Sequence, residues 1–169
     1  MRDVLEDGPE GGKGKWGDPK VPKRGWTCVG TEDLGDLLEI CEMCGRKEIR
    51  YVQYMSHPDY AGELGCGCVC AGHMEGNESA ARDRETTMRN RAARRRNWPK
   101  LKAWHFSRAG NRTIEKDGCR VTVYEKRGGY QISAGRVGAT PRFGRRIYET
   151  RQAAVLASFD AFMWARDRS

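Results

Sequence analysis

Five of the chain's seven cysteines fall between positions 41 and 70. Cys41-Glu-Met-Cys44-Gly45 is a C-x-x-C pair followed by glycine, a spacing that lets two thiolates reach one ion while the backbone turns tightly. Cys66-Gly-Cys68-Val-Cys70-Ala-Gly-His73 then offers further donors for the two places that a closed tetrahedral zinc site still needs. The favoured set is Cys41, Cys44, Cys68 and Cys70. An alternative puts His73 in place of Cys68, because Cys70-x-x-His73 has regular finger-like spacing at a helix start. Either choice leaves Cys66 as a spare thiol, and Cys28 and Cys119 read as small core residues. A redox pair would need a βαβ context that the flanking sequence lacks, and an odd cysteine count argues against a disulfide framework. A hairpin cysteine pair followed by a pair at the start of a helix is the plan of a treble-clef zinc finger.

The other residues that could do chemistry are sparse. His57 stands two residues before Asp59. It is a candidate general base, though a loop histidine bonded to backbone explains it more simply. There is no G-x-S-x-G, no phosphate loop and no pair of catalytic carboxylates. Treble-clef nucleases place histidines and an asparagine around a catalytic metal, and no matching set occurs here. The expectation is a protein that is not an enzyme and takes no small-molecule substrate.

The second chemical signal is charge. The net charge is +8 and the pI about 9.3, which favours polyanionic partners. The charge concentrates between residues 82 and 102, where Arg82, Arg84, Arg89, Arg91, Arg94, Arg95, Arg96, Lys100 and Lys102 face only Asp83 and Glu85. On a helix, Arg84, Arg91 and Arg95 fall on one stripe and Arg82, Arg89 and Arg96 on its neighbour. Guanidinium forks suit phosphate oxygens and guanine edges. A helix C-terminus also attracts cations without any ligand. Trp98, Trp104 and His105 add flat groups that either stack on unpaired bases or pack inside the protein, the latter being favoured for the tryptophans.

These groups need elements to hold them. Residues 1–24, rich in Gly, Lys, Pro and Asp, read as a flexible arm. Lys13, Lys15, Lys20, Lys23 and Arg24 on that arm either touch a phosphate backbone or simply form a solvated tail, the latter being the commoner case. Residues 48–55 have strand composition. Residues 71–97 read as helix, supported by Glu78–Arg82 and Glu85–Arg89 at i,i+4 and closed by Pro99. Beyond residue 103, Asp117-Gly118 and Gly128-Gly129 mark hairpin turns. Cys119, Val121 and Val123 alternate with polar residues, as do Tyr130, Ile132 and Ala134. Phe143 to Tyr148 reads as a third strand. Thr150 is an N-cap for a helix carrying Val155, Leu156, Phe159, Phe162 and Met163. The expected core of this half is Val121, Val123, Ile132, Ile147, Leu156, Phe159 and Met163.

Cys41-Glu-Met-Cys44-Gly, Ile49-Arg-Tyr-Val, His57-Pro-Asp-Tyr60, Gly67-Cys68-Val-Cys70-Ala71 and Arg89-Asn-Arg-Ala-Ala-Arg-Arg95 together resemble a family of small bacterial and mobile-element zinc-motif proteins. The resemblance covers roughly residues 26–167 and implies Cys41, Cys44, Cys68 and Cys70 as ligands, with Cys66 at a position where the pattern has another residue. The C-terminal part is more loosely similar to the three-stranded-sheet-plus-helix domains of integrase arms and Apetala-type factors. That likeness implies a sheet entering a DNA groove, with Tyr124, Lys126, Arg127, Tyr130, Gln131 and Arg136 on or near it.

The expected protein is therefore α+β: a treble-clef-like zinc module with a long basic helix over 25–102, then a three-stranded antiparallel sheet packed on a C-terminal helix over 103–169. The expected function is non-catalytic, zinc-dependent binding of DNA or RNA. Arg84, Arg89, Arg91, Arg94, Arg95, Arg96, Lys100, Lys102, Arg127 and Tyr130 are the contact candidates. The alternative is a phage or mobile-element interaction module docking on a host defence or nucleoprotein complex. No apolar run approaches the roughly 20 residues of a membrane span, and no apolar leader opens the chain, so a cytosolic location is expected.

Overall fold

The computed structural model of the protein describes residues 11–168. Among the described residues the chain is α+β, with three α-helices and antiparallel sheets, and it divides into two compact units that meet in sequence between Ala92 and Ala93. Among the described residues no helix is long and apolar enough to cross a membrane.

In the first unit, β1 (Thr27–Asp33), β4 (Tyr51–Ser56) and β5 (Glu63–Cys66) form an antiparallel sheet in the order β1-β4-β5. A small hairpin, β2 (Glu39–Ile40) and β3 (Glu48–Ile49), carries Cys41 and Cys44 in its turn. Two helices follow, α1 (Cys68–Glu75) and α2 (Glu78–Asn97). The continuous helix expected from residue 71 is broken at Gly76, which adopts φ 71° and closes α1 as a left-handed C-cap. A Cβ on Gly72 would lie 2.8 Å from the Cα of Glu78, so that glycine permits α1 and α2 to pack closely. Buried Gln53 ties the sheet to α2: its amide donates to the Ala81 carbonyl at 2.8 Å and accepts from Arg84 Nε at 2.7 Å.

The flexible arm expected over residues 1–24 is replaced by packed structure wherever it is described; residues 1–10 lie outside the described residues. Gly14–Gly17 forms a 3-10 turn, and Trp16 and Val21 are buried in the first unit's core. Lys15 N–H donates to the Met43 carbonyl at 2.8 Å. Gly14 sits at φ 61° so close to Cys44 that a Cβ would meet its carbonyl atoms at 2.5 Å. Low apolar content suggested disorder, but one tryptophan and close-approach glycines anchor this segment. Lys23 is drawn in as well: its ammonium donates to the carbonyls of Lys15, Asp18 and Val21, and burial lowers its pKa.

The second unit holds a five-stranded antiparallel sheet rather than three strands. Its members are β6 (His105–Phe106), β7 (Arg112–Lys116), β8 (Cys119–Lys126), β9 (Gly129–Arg136) and β10 (Arg142–Phe143), in the order β10-β9-β8-β7-β6. The third long strand is β7, whereas the segment expected as a strand over 143–148 pairs only at Arg142–Phe143 and through a Tyr130–Tyr148 bridge. Asp117-Gly118 makes the first hairpin turn with φ 50° and 72°. The second turn is Arg127-Gly128, one residue earlier than expected. Gly129 already belongs to β9, where a Cβ would strike Ile147 at 2.4 Å.

Helix α3 (Arg151–Asp167) packs against β8 and β9, and the Thr150 hydroxyl accepts from Ala153 N–H at 3.1 Å, as its capping role requires. Ile114, Val121, Val123, Val155, Phe159, Phe162 and Met163 fill the core, whereas Ile147 is 43% exposed and lies outside it. Trp98 and Trp104 are core residues too. Trp98 stacks on Phe162 with centroids 4.7 Å apart and donates to Ser158 Oγ at 3.0 Å, and Trp104 donates to the Trp98 carbonyl at 2.9 Å. The unit thus begins about ten residues before the boundary at 103 that its composition suggested.

Candidate metal centre

Cys41 opens the β2–β3 turn, and the turn closes through Gly45 N–H to the Cys41 carbonyl at 2.8 Å, with Gly45 at φ 66°. Glu42 then fixes the turn to β5. Its amide donates to the Gly65 carbonyl at 2.9 Å, and its carboxylate accepts from Gly65 N–H at 2.5 Å. This pairing sets Cys41 and Cys44 against the end of β5 and the first turn of α1, where Cys66, Cys68 and Cys70 lie.

The Sγ atoms of Cys41, Cys44 and Cys70 all lie within 4.8 Å of one another, and all three residues are buried. Sulfurs bonded to one zinc at about 2.3 Å stand at comparable separations, so this donor set fits a metal ion. The surroundings suit thiolates. The Trp16 indole N–H points to Cys70 Sγ at 3.5 Å, and the amides of Cys44 and Gly67 donate to the Cys41 sulfur. Hydrogen bonds from the Cys66 and Cys70 thiols, with those amides, hold the Cys41 thiol far below its ordinary range despite burial. The bond to Cys41 and then burial drive the Cys66 and Cys70 thiols far up.

The remaining donors are unequal. Cys68 is half-buried outside the three-sulfur cluster, and its thiol is pushed up to about 11 by burial and a hydrogen bond with Glu85. His73 lies beside Glu78, its Nε2 3.6 Å from a carboxylate oxygen, and meets Trp16 edge-on. Cys66 is fully buried at the end of β5 and, like Cys68, lies outside the three-sulfur cluster. It also lies 3.6 Å from Met74 Sδ. Sequence spacing alone made Cys66 the spare thiol. In space it lies at the end of β5, on the strand that Glu42 binds. Cys119 is buried in the second unit's core, and Cys28 is half-buried in β1.

The basic residues separate into groups. Arg84 turns inward, bonded to Gln53 and paired with Glu75. Arg82 and Arg89 pair with Glu78 and Glu85 at i,i+4, and Arg89 also covers the Tyr51 ring. Arg94 lies over Phe159, and Arg95 is 3.4 Å from Asp160. Arg91, Arg96, Lys100 and Lys102 are exposed. Arg127 is exposed at its turn. Tyr130 is half-buried against the core with Arg151 over its ring, while the Tyr124 hydroxyl bonds to Gln131 at 3.2 Å. His57 accepts the Asp59 amide at its Nδ1, 3.0 Å away, and packs on Trp26, which is the simpler of its two expected roles.

A cleft of about 390 Å³ beside the cluster is lined by Leu38, Ile49, Tyr51, Cys68, Val69 and Glu85 among others. Leu38 and Val69 of its lining are exposed, as are Leu37 and Ile40 nearby in sequence. Compared with protein-family models, curated proteins and solved structures, the chain matches none of them.

Proposed function

We propose that the chain is a non-catalytic, zinc-dependent nucleic-acid-binding protein. In this reading Cys41, Cys44, Cys66 and Cys70 hold one structural zinc in a treble-clef-like arrangement of knuckle, hairpin strand and helix start. Cys66 replaces Cys68 in the ligand set inferred from spacing. Support comes from the burial of all four sulfurs, the amide bonds donated by Met43, Cys44 and Gly67, and the Glu85 partner that occupies Cys68. Zinc bound there ties the β2–β3 turn to α1 and supplies folding energy where the apolar core is small.

The observation that carries nucleic-acid binding is the exposed basic stretch of Arg91, Arg94, Arg96, Lys100 and Lys102, with no acidic residue between positions 86 and 114. Arg84 is left out of this surface because its guanidinium is committed internally. Phosphate neutralisation by this stretch gives affinity with little sequence preference. The test is replacement of Arg91, Arg94, Arg95 and Arg96 by glutamine, which keeps helix propensity. Each lost phosphate contact flattens the slope of log affinity against log salt by about one unit. A parent protein with a salt slope near zero, or a variant that binds DNA and RNA as the parent does, would sink the reading.

A second reading rests on the exposed Leu38 and Val69 that line the first unit's cleft, with Leu37 and Ile40 also exposed. Such a patch suits docking on a protein, for example a host defence or nucleoprotein complex. Capture of a defined protein partner that survives nuclease treatment, lost on Leu38→Asp, would favour it.

A further inference from the structure

In the second unit a cleft of about 460 Å³ opens between α3 and the chain from β10 to Tyr148. Its floor is apolar, made of Ile132 and Ala134 from β9 and Ala157 and Ala161 from α3. Its rim carries Arg142, Arg145, Arg146 and Arg95, opposed by Asp160 alone, and Arg95 already pairs with that carboxylate. None of Arg142, Arg145 and Arg146 makes an ion pair with a described carboxylate. Arg142 lies over the Trp164 ring at 5.6 Å and Arg146 over Tyr148 at 5.1 Å, with Arg168 on Trp164 at 4.8 Å. Ring contacts orient guanidiniums while leaving their N–H donors unspent, which is how an anion site is built in advance.

From this juxtaposition of an apolar floor and three arginines without an ion pair to a described carboxylate, two of them held by rings, we infer that the cleft binds one unpaired nucleotide of a single-stranded nucleic acid. The base enters the floor and the flanking phosphates take the arginines. The volume lies in the range of small-ligand sites. Arg142 to Arg146 lie along a segment that spans at most about 14 Å, enough for more than one phosphate of a single strand. A duplex keeps its bases stacked and cannot offer a ring to a recessed floor, so single strands are preferred. The inference rests on the nucleic-acid reading above but places the contact on residues outside the basic helix and adds strand selectivity.

The experiment is fluorescence anisotropy of the full chain with labelled twelve-nucleotide oligo-dT, oligo-U and a duplex of equal length, over a range of salt. Arg142→Gln/Arg145→Gln/Arg146→Gln should weaken single-strand binding about tenfold or more and flatten its salt slope by about two units, at about 0.7 per phosphate contact. Ala161→Leu fills the floor without changing charge. It should weaken single-strand binding about fivefold at an unchanged slope, as loss of one stacked or buried base predicts. Circular dichroism melts confirm that both variants fold, and Ala161→Leu carries the test alone if the triple variant does not. Parent-like single-strand binding by Ala161→Leu, duplex binding as tight as single-strand binding, or preference for a phosphopeptide overturns the cleft assignment. Loss of binding in Arg91→Gln/Arg94→Gln/Arg96→Gln together with parent-like binding in the cleft variants overturns it while leaving the proposed function standing. Failure of the parent to bind any oligonucleotide overturns both.

Discussion

The two units solve the problem of small size in different ways. The second closes a five-stranded sheet with α3 around Trp98, Phe159 and Phe162, and its core needs nothing but its own side chains. The first surrounds its cysteines with Trp16, Trp26, Met43, Met55 and Met74, and four of its buried core positions are the cysteines Cys41, Cys44, Cys66 and Cys70. Buried thiols contribute less packing than leucine or phenylalanine would and disfavour one another's ionisation. One stretch of chain is packed by apolar area, and the other around clustered thiols that could hold a metal ion.

The largest expected effect is on the first unit. Cys44→Ser should abolish metal binding and unfold the β2–β3 turn and α1, while the near-ultraviolet dichroism of the second unit's tryptophans persists; metal analysis with dichroism measures both. The next effect sharpens where the second unit begins. A fragment from residue 93 should give a dispersed amide spectrum. One from residue 104 should not, because it lacks the Trp98 indole that stacks on Phe162 and bonds Ser158. Loss of a buried tryptophan costs about 3–5 kcal/mol, comparable to a small domain's whole stability.

A finer division falls among the cysteines. Cys66→Ser should weaken zinc affinity about a hundredfold or more, and Cys68→Ser by less than about threefold, read by chelator competition. The reverse order would restore the ligand set expected from spacing. The smallest effect is at a cap: Thr150→Ala removes the acceptor for Ala153 N–H and should cost about 1 kcal/mol in denaturant unfolding of the second unit only.

Much of this was legible in the residues themselves. The C-x-x-C-Gly turn, the Asp117-Gly118 hairpin, the alternation of Cys119, Val121 and Val123 and the Thr150 cap are local signals, and each local signal holds in the fold. The parts that were not legible depend on distant partners. Cys66 and Cys68 are two residues apart, and the β4–β5 pairing and the Glu42 bridge leave one fully buried at the end of β5 and the other half-buried at the start of α1. Arg84 looks like its basic neighbours until Gln53 and Glu75 claim it. The segment from Gly11 to Arg24 has a disordered composition, yet Trp16 finds Cys70 and Gly14 fits against Cys44. Arg145 and Arg146 fall in the segment expected as a third strand, and only the placement of α3 brings Ala157, Ala161 and Trp164 beside them.

On the proposed reading, a metal organises the first unit and not the second. The most direct test is the amide NMR spectrum of the full chain, purified without chelator, before and after zinc is removed. The prediction is that resonances from residues 14–76 lose dispersion on removal and recover with one equivalent of zinc, while those from 104–167 stay in place. A spectrum unchanged by chelation, or one in which both units collapse together, would contradict it.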